Sequence, residues 1–157
     1  MRYTFGKELH KLMKKDKKII LIYGDIGWGV FNDIWKEFPD RCFNVGICEQ
    51  TMIGMAAGLA LQGLKPVVYT ITPFLIERAF EQIKIDVDSM KAKVMLCGYA
   101  DYSEQGITHA EIDAEWLMSK FDNTINKFPK TEEEIISDMK ECYEYDGPSF
   151  FSLKKLK

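Results

Sequence analysis

Ile19-Ile20-Leu21-Ile22-Tyr23-Gly24 is an unbroken apolar run closed by a glycine. A strand made from it is apolar on both faces, as in a parallel sheet covered by helices on either side. Before it, Phe5, Leu9, Leu12 and Met13 recur at helical spacing, with Thr4 expected as the cap. After it, a short helix is expected over 31–38 and a second strand over 42–47. A long helix should start near Glu49 and stop at Gly63, which suits a C-terminal cap. Residues 66–71 read as a third strand. Thr72-Pro73 reads as a cap followed by proline at the first helical position, opening a helix that runs through Phe80, Ile83 and Val87.

The alternation continues to the end of the chain. Residues 93–99 read as a fourth strand, 100–106 as a loop, 111–120 as a helix and 124–127 as a short strand. Thr131-Glu132-Glu133-Glu134 is a capping box that opens a helix to about Tyr143. Gly147-Pro148 then turns the chain into a last strand, Ser149–Leu153. Strands alternating with helices predict an α/β fold, three layers α/β/α around a mostly parallel sheet. Without repeats, low-complexity stretches or an internal linker, residues 1–157 are expected to form one domain. Sites in such sheets form beyond the carboxyl ends of the strands, here segments 24–29, 46–49, 71–74 and 99–109.

Composition excludes several classes. The net charge is −3 and the lysines and arginines are spread out, so no basic stripe offers itself to a nucleic acid. The run Lys14-Lys15-Asp16-Lys17-Lys18 reads as a solvated connection. The four cysteines lack metal-binding spacing and read as buried free thiols, which fits a reducing cytoplasm. No signal-like segment is read at residues 1–20, and no apolar run reaches the roughly 18 residues of a membrane span.

Several residues in the candidate segments admit a plain and a chemical reading. Glu49 stands at a strand-to-helix junction, where a carboxylate complements the helix dipole by about 0.3–1 kcal/mol. Gly54, Ala56, Ala57 and Gly58 follow it, either packing tightly or letting another backbone approach. Phe74 is a core residue at a helix start or a flat face for a ring. His109 is one of only two histidines and follows a glycine-containing loop; His10 reads as a surface residue. Asp113 lines the same side as His109 or faces water. Gly24, Gly27 and Gly29 do not make GxGxxG, the fingerprint of a dinucleotide site.

The blocks Asn44-Val45-Gly46-Ile47-Cys48-Glu49-Gln50 and Gly54-Met55-Ala56-Ala57-Gly58-Leu59-Ala60, with Gly63, resemble the pyrimidine-domain signature of transketolase-like thiamine-diphosphate enzymes. Tyr69-Thr70-Ile71-Thr72-Pro73-Phe74-Leu75 with Arg78-Ala79-Phe80-Glu81-Gln82-Ile83 is similar to the next family block, and Gly106-Ile107-Thr108-His109 to the one after. The ordered blocks cover roughly residues 20–120.

The resemblance implies that Glu49 hydrogen-bonds N1′ of the cofactor's aminopyrimidine, favouring the 4′-imino form whose nitrogen removes the C2 proton. Such a carboxylate should be largely buried. The resemblance further implies that Phe74 stacks on the pyrimidine, that His109 reaches the substrate, and that Asp25, Ile47 and Arg78 belong to the cofactor site, Arg78 packing beneath it or pairing with an acid. Ile107 replaces the family's proline. Phe80 is expected in the core. Gly24-Asp25-Ile26 lacks the family's Gly-Asp-Gly motif for Mg²⁺ and diphosphate, and the family's third domain is not expected after residue 157. The expectation is therefore a heteromer, two of each chain, with a separate subunit holding diphosphate and Mg²⁺. The implied activity is transfer of a two-carbon ketol unit between sugars or sugar phosphates. The alternatives are a split 2-oxo acid decarboxylase and a non-catalytic interaction domain that keeps the fold.

Overall fold

The structure, a computed structural model, describes residues 1–99 and 103–154. The expected loop over 100–106 thus lies partly outside the described residues. The strands are β1 (Ile19–Tyr23), β2 (Cys42–Asn44), β3 (Lys65–Ile71), β4 (Met95–Tyr99), β5 (Ile125–Lys127) and β6 (Ser149–Leu153). They form one sheet in the order β2-β1-β3-β4-β6-β5, and every pairing is parallel. The fold is α/β, as the apolar runs predict.

Alternate strand residues separate two cores. Ile20, Ile22, Val68, Leu96 and Phe150 face one layer of helices: α3 (Glu49–Leu61), α4 (Thr72–Glu77), a π-helical turn (Ile83–Asp88) and α6 (Ala114–Met118). Leu21, Val67, Tyr69, Cys97 and Phe151 face the other: α1 (Arg2–Lys15), α2 (Asn32–Glu37) and α7 (Glu132–Glu144). The two cores cover the four inner strands on both sides, while the edge strands β2 and β5 stay partly exposed.

Local chemistry fixes the helix ends. Gly63, at φ +81°, closes α3 in a Schellman motif: Gly63 N–H donates to Ala60 O and Leu64 N–H to Leu59 O. Thr131 Oγ1 accepts from Glu134 N at 3.1 Å and so caps α7. The reciprocal half of the expected box is altered, because Glu134 Oε2 accepts from Lys130 N rather than Thr131 N.

Five expectations are corrected. Thr4 lies inside α1, whose cap is Met1. The second strand stops at Asn44, since Gly46 turns the chain at φ +71° and Asn44 Oδ1 captures its N–H. Thr72 is the first helical residue rather than the cap, and its hydroxyl makes no capping bond. The helix through Phe80, Ile83 and Val87 is broken at Arg78 and Ala79; a short α5 (Phe80–Gln82) then widens into the π-helical turn. The helix expected over 111–120 begins only at Ala114, because Asp113 Oδ1 takes the N–H of Trp116 at 2.9 Å and acts as its cap. That contact assigns Asp113 a capping role.

Candidate functional site

Chain direction changes beside β1. The connection from β1 leads to the edge strand β2, while β3 lies on β1's other side. Such a switch point opens a crevice beyond the carboxyl ends of the strands. The turns after β1, β2 and β3 meet there. Gly24 permits the approach: a Cβ on it would stand 3.2 Å from Thr70 Oγ1 and 3.3 Å from Gly46 O.

Asn44 ties the first two turns together. Its Oδ1 accepts from Asp25 N at 3.1 Å and from Gly46 N at 3.0 Å. Its Nδ2 donates to Asp25 Oδ1 at 3.3 Å. Asp25 itself adopts φ +53°, a left-handed conformation that this clamp holds. The Asp25 residue is exposed and pairs with Asn44. Beyond the clamp, Cys48 Sγ donates to Val45 O at 2.6 Å, and α3 begins.

Glu49 is the first residue of α3 and is only 3% exposed, although it lines an open cleft of about 490 Å³. Ile47, Cys48, Gln50, Thr51 and Arg78 complete the lining. Arg78 Nη1 donates to both Glu49 oxygens, at 3.3 and 3.2 Å. The same guanidinium lies over Phe74, with Cζ 3.6 Å from the ring centroid. His109 meets Phe74 edge-on, with centroids 4.6 Å apart and planes at 68°. Thr108 Oγ1 stands 3.1 Å from His109 Nδ1.

The fold therefore brings Glu49, Arg78, Phe74 and His109 into one contiguous cluster drawn from three turns. Ile47 sits at the cleft's rim and is 70% exposed. Asp25 meets the group only through the Asn44 clamp. Phe80 packs on Phe121 at 4.9 Å, a core contact as expected. His10 bonds Glu37 at 2.6 Å on the other face of the sheet, away from the cluster. Gly54 and Gly58 are exposed and have nothing within 4 Å of an added Cβ, so the close packing open to the small-residue run does not occur there within the described chain. Cys97 and Cys142 are buried, but Cys42 and Cys48 are only partly so. Burial pushes the Cys42 and Cys142 thiols up to about 11.

Two features went unread in the sequence. Asn44's linking role needs a partner 19 residues away, though an asparagine two before a glycine is itself a turn signal. Thr70 is buried at 1% exposure, and its hydroxyl has no hydrogen-bond partner among the described residues. No group of three or more His, Cys, Asp or Glu side chains able to hold a metal occurs among the described residues. None of the described helices is long and apolar enough to cross a membrane.

Comparison with known proteins agrees with this architecture. The family described as "Transketolase, pyrimidine binding domain" matches residues 1–157. One subunit of the apulose-4-phosphate transketolase of Actinobacillus succinogenes is 41% identical over 121 residues, covering 75% of this chain and 39% of the relative. A "1-deoxy-D-xylulose-5-phosphate synthase" of Clostridium perfringens is 36% identical over 148 residues, 92% of this chain and 24% of the relative. The chain thus spans about a quarter to two fifths of the length of these relatives. Among solved structures, "Split gene transketolase, inactive beta4 tetramer" superposes with a TM-score of 0.87 at 31% identity, covering 98% of this chain and 50% of that one. The transketolase of Campylobacter jejuni gives a TM-score of 0.86 at 22% identity over 98% of this chain and 25% of its own, a likeness of fold alone.

Proposed function

Because this chain belongs to the family of transketolase pyrimidine-binding domains, we propose that it binds and activates the aminopyrimidine of thiamine diphosphate in an enzyme that transfers a two-carbon ketol unit. The observation that carries this reading is Glu49, a buried carboxylate that lines an open cleft and shares Arg78 with the face of the Phe74 ring. A carboxylate ordinarily avoids such burial unless a partner awaits it.

The residues fit the group. Phe74 offers an aromatic plate and Glu49 a carboxyl that can share a proton with N1′, the two features an aminopyrimidine requires. When bound, thiamine diphosphate supplies the nucleophilic carbon of the reaction. Glu49 would hold the proton at N1′. Phe74 would orient the ring, with Arg78 and Ile47 walling the pocket and Asp25 ordering the turn beside it. His109, held against Phe74, would present its imidazole to the substrate, where it can hydrogen-bond a hydroxyl or move a proton.

The diphosphate and Mg²⁺ would be held by a separate subunit, with the active site at the interface and two copies of each chain. Support comes from one relative that is a subunit of a transketolase and from a solved transketolase described as "split gene". The substrate would be a sugar or sugar phosphate, and the compartment the cytoplasm. A second reading, an activity like that of the 1-deoxy-D-xylulose-5-phosphate synthase relative, rests on its alignment with 92% of the chain. Product analysis with ketose-phosphate against pyruvate-type donors separates the two.

The test is Glu49→Gln in the assembled enzyme. Loss of a proton-transfer partner should lower kcat by about 100-fold or more, and a change within about threefold would overturn the assignment.

A further inference from the structure

Arg78 makes two contacts that would ordinarily belong to different partners. Its guanidinium covers the face of Phe74, and its Nη1 reaches both oxygens of Glu49. These are the same two surfaces assigned above to the aminopyrimidine. A guanidinium is planar, stacks on aromatic faces and points N–H donors at the carboxylate, so it shares the shape of that ring and, toward Glu49, the N–H of its N1′-protonated form. We propose that Arg78 is a built-in stand-in for the aminopyrimidine: it occupies Phe74 and Glu49 until the cofactor arrives, and it must leave both for the ring to enter. This inference rests on the reading of Glu49 and Phe74 given above.

The geometry of the pair supports displacement over permanence. A lasting Arg–carboxylate bridge usually forms a fork, with two parallel N–H···O bonds from different nitrogens at about 2.7–2.9 Å. Here a single nitrogen is shared between both oxygens, at 3.3 and 3.2 Å. The guanidinium is placed by the ring as much as by the acid. Arg78 also has somewhere to go. It sits at the break between α4 and α5, its side chain is 37% exposed, and it lines the 490 Å³ cleft. His109 packs on the same ring with planes at 68°, and Arg78 lies over its centroid, so the face under Arg78 is the stacking surface in question.

The contact also has a reason to exist. A buried carboxylate without a cation or donor is strongly destabilising. Arg78 supplies that partner when the site is empty, at the cost of competing with the cofactor. Binding is then an exchange, in which one planar group replaces another on the same carboxylate.

The experiment uses the assembled enzyme freed of cofactor. Thiamine diphosphate with Mg²⁺ is titrated by calorimetry, and its entry is followed by stopped-flow tryptophan fluorescence. With wild-type protein the observed rate should rise linearly with cofactor, at a slope lowered by the fraction of molecules in which Arg78 covers the site, because a partly exposed side chain swings far faster than mixing. Arg78→Met keeps an unbranched apolar stem but removes the charged plate. It should bind about tenfold more tightly, with a correspondingly steeper slope of rate against cofactor. Arg78→Lys keeps the charge and loses the plate; it should bind severalfold more tightly, and it decides the matter if Arg78→Met does not assemble. Equal or weaker binding by the variant that assembles would overturn the stand-in and make Arg78 a fixed part of the pocket. Failure of wild-type assembled enzyme to bind the cofactor at all would overturn the functional reading and this inference with it.

Discussion

Two carboxylate–cation pairs sit at opposite ends of the sheet, and they are built differently. At the amino-terminal edge, Asp16 accepts from Lys18 N at 2.8 Å, Lys65 Nζ at 2.7 Å and Tyr143 OH at 2.9 Å. Arg41 closes the same corner by donating to the carbonyls of Asp16 and Met13. Burial alone would push the Asp16 carboxyl up, but these hydrogen bonds outweigh it and hold the group below the usual aspartate range. At the carboxyl-terminal edge, Glu49 is more deeply buried, yet Arg78 is its one side-chain partner among the described residues, held at longer range. Exposed apolar side chains surround that end: Ile47, Ile107 at 92% and Trp28 at 81%. One end of the sheet is finished within the chain. The other is left with unfilled hydrogen-bonding capacity and uncovered apolar surface, which is the condition of a site that something else completes.

The contrast is broken most severely by exchanging the roles of the two acids. Glu49→Gln should cost about 100-fold or more in activity while leaving the melting temperature of the isolated chain within a few degrees. Asp16→Asn should do the reverse, lowering stability by about 2 kcal/mol with kcat of the assembled enzyme intact, since it removes charge-assisted hydrogen bonds far from the cleft. The pH dependence carries the sign. A carboxyl whose folded pKa is depressed stabilises the fold above its unfolded value, near 3.9, and that stability is lost as pH falls through the lower folded value. The gap between wild type and Asp16→Asn, measured by urea unfolding, should therefore be full at about pH 6 and close on acidification below about pH 4. A gap that persists unchanged to about pH 2 would mean that packing, not charge, holds that corner.

A smaller effect belongs to the ring at the open end. Phe74→Leu keeps apolar volume but removes the plate under Arg78. Aromatic stacking is worth about 0.5–1.5 kcal/mol, so cofactor affinity of the assembled enzyme should fall about three- to tenfold. Affinity unchanged within error would shift the stacking role to another residue.

What the sequence made legible follows the same division. The strands were readable because β1, β3, β4 and β6 are buried on both faces, so apolar runs such as Ile19–Tyr23 betray them. The helix ends at Gly63 and Thr131 were readable because their chemistry is local. Legibility failed where a side chain answers to a distant partner or where its capping bond competes with the helix start. Asn44 shortens β2 by binding Gly46 and Asp25, and Asp113 delays α6 by capping it. The break at Arg78 and Ala79 has no proline or glycine to announce it. The grouping of Glu49, Phe74 and His109 came from family resemblance, because the contacts that link them, through Arg78, join turns far apart in the chain. The pairing of Glu49 with Arg78 spans 29 residues and only the folded structure specifies its geometry.

The smallest effect tests whether the open end is ordered by a few exposed bonds. Asn44, Asp25 and Gly46 form their clamp in contact with solvent, whereas the bonds to Asp16 are largely shielded. The two bonds that Asn44 Oδ1 accepts from backbone N–H groups are exposed and neutral, and such bonds contribute about 0.5–1.5 kcal/mol each at most, so Asn44→Ala should lower stability by about 1 kcal/mol. Asn44→Asp keeps the acceptor for both N–H groups but sets a second carboxylate against Asp25, and it should be at least as damaging as Asn44→Ala. Adding Asp25→Asn to that variant restores a donor facing an acceptor, with the two roles exchanged. If the clamp acts through those hydrogen bonds, the double variant should recover most of the lost stability and also the amide-exchange protection of Gly46. If each change merely disturbs the backbone, the two losses should add, because independent sites show no coupling.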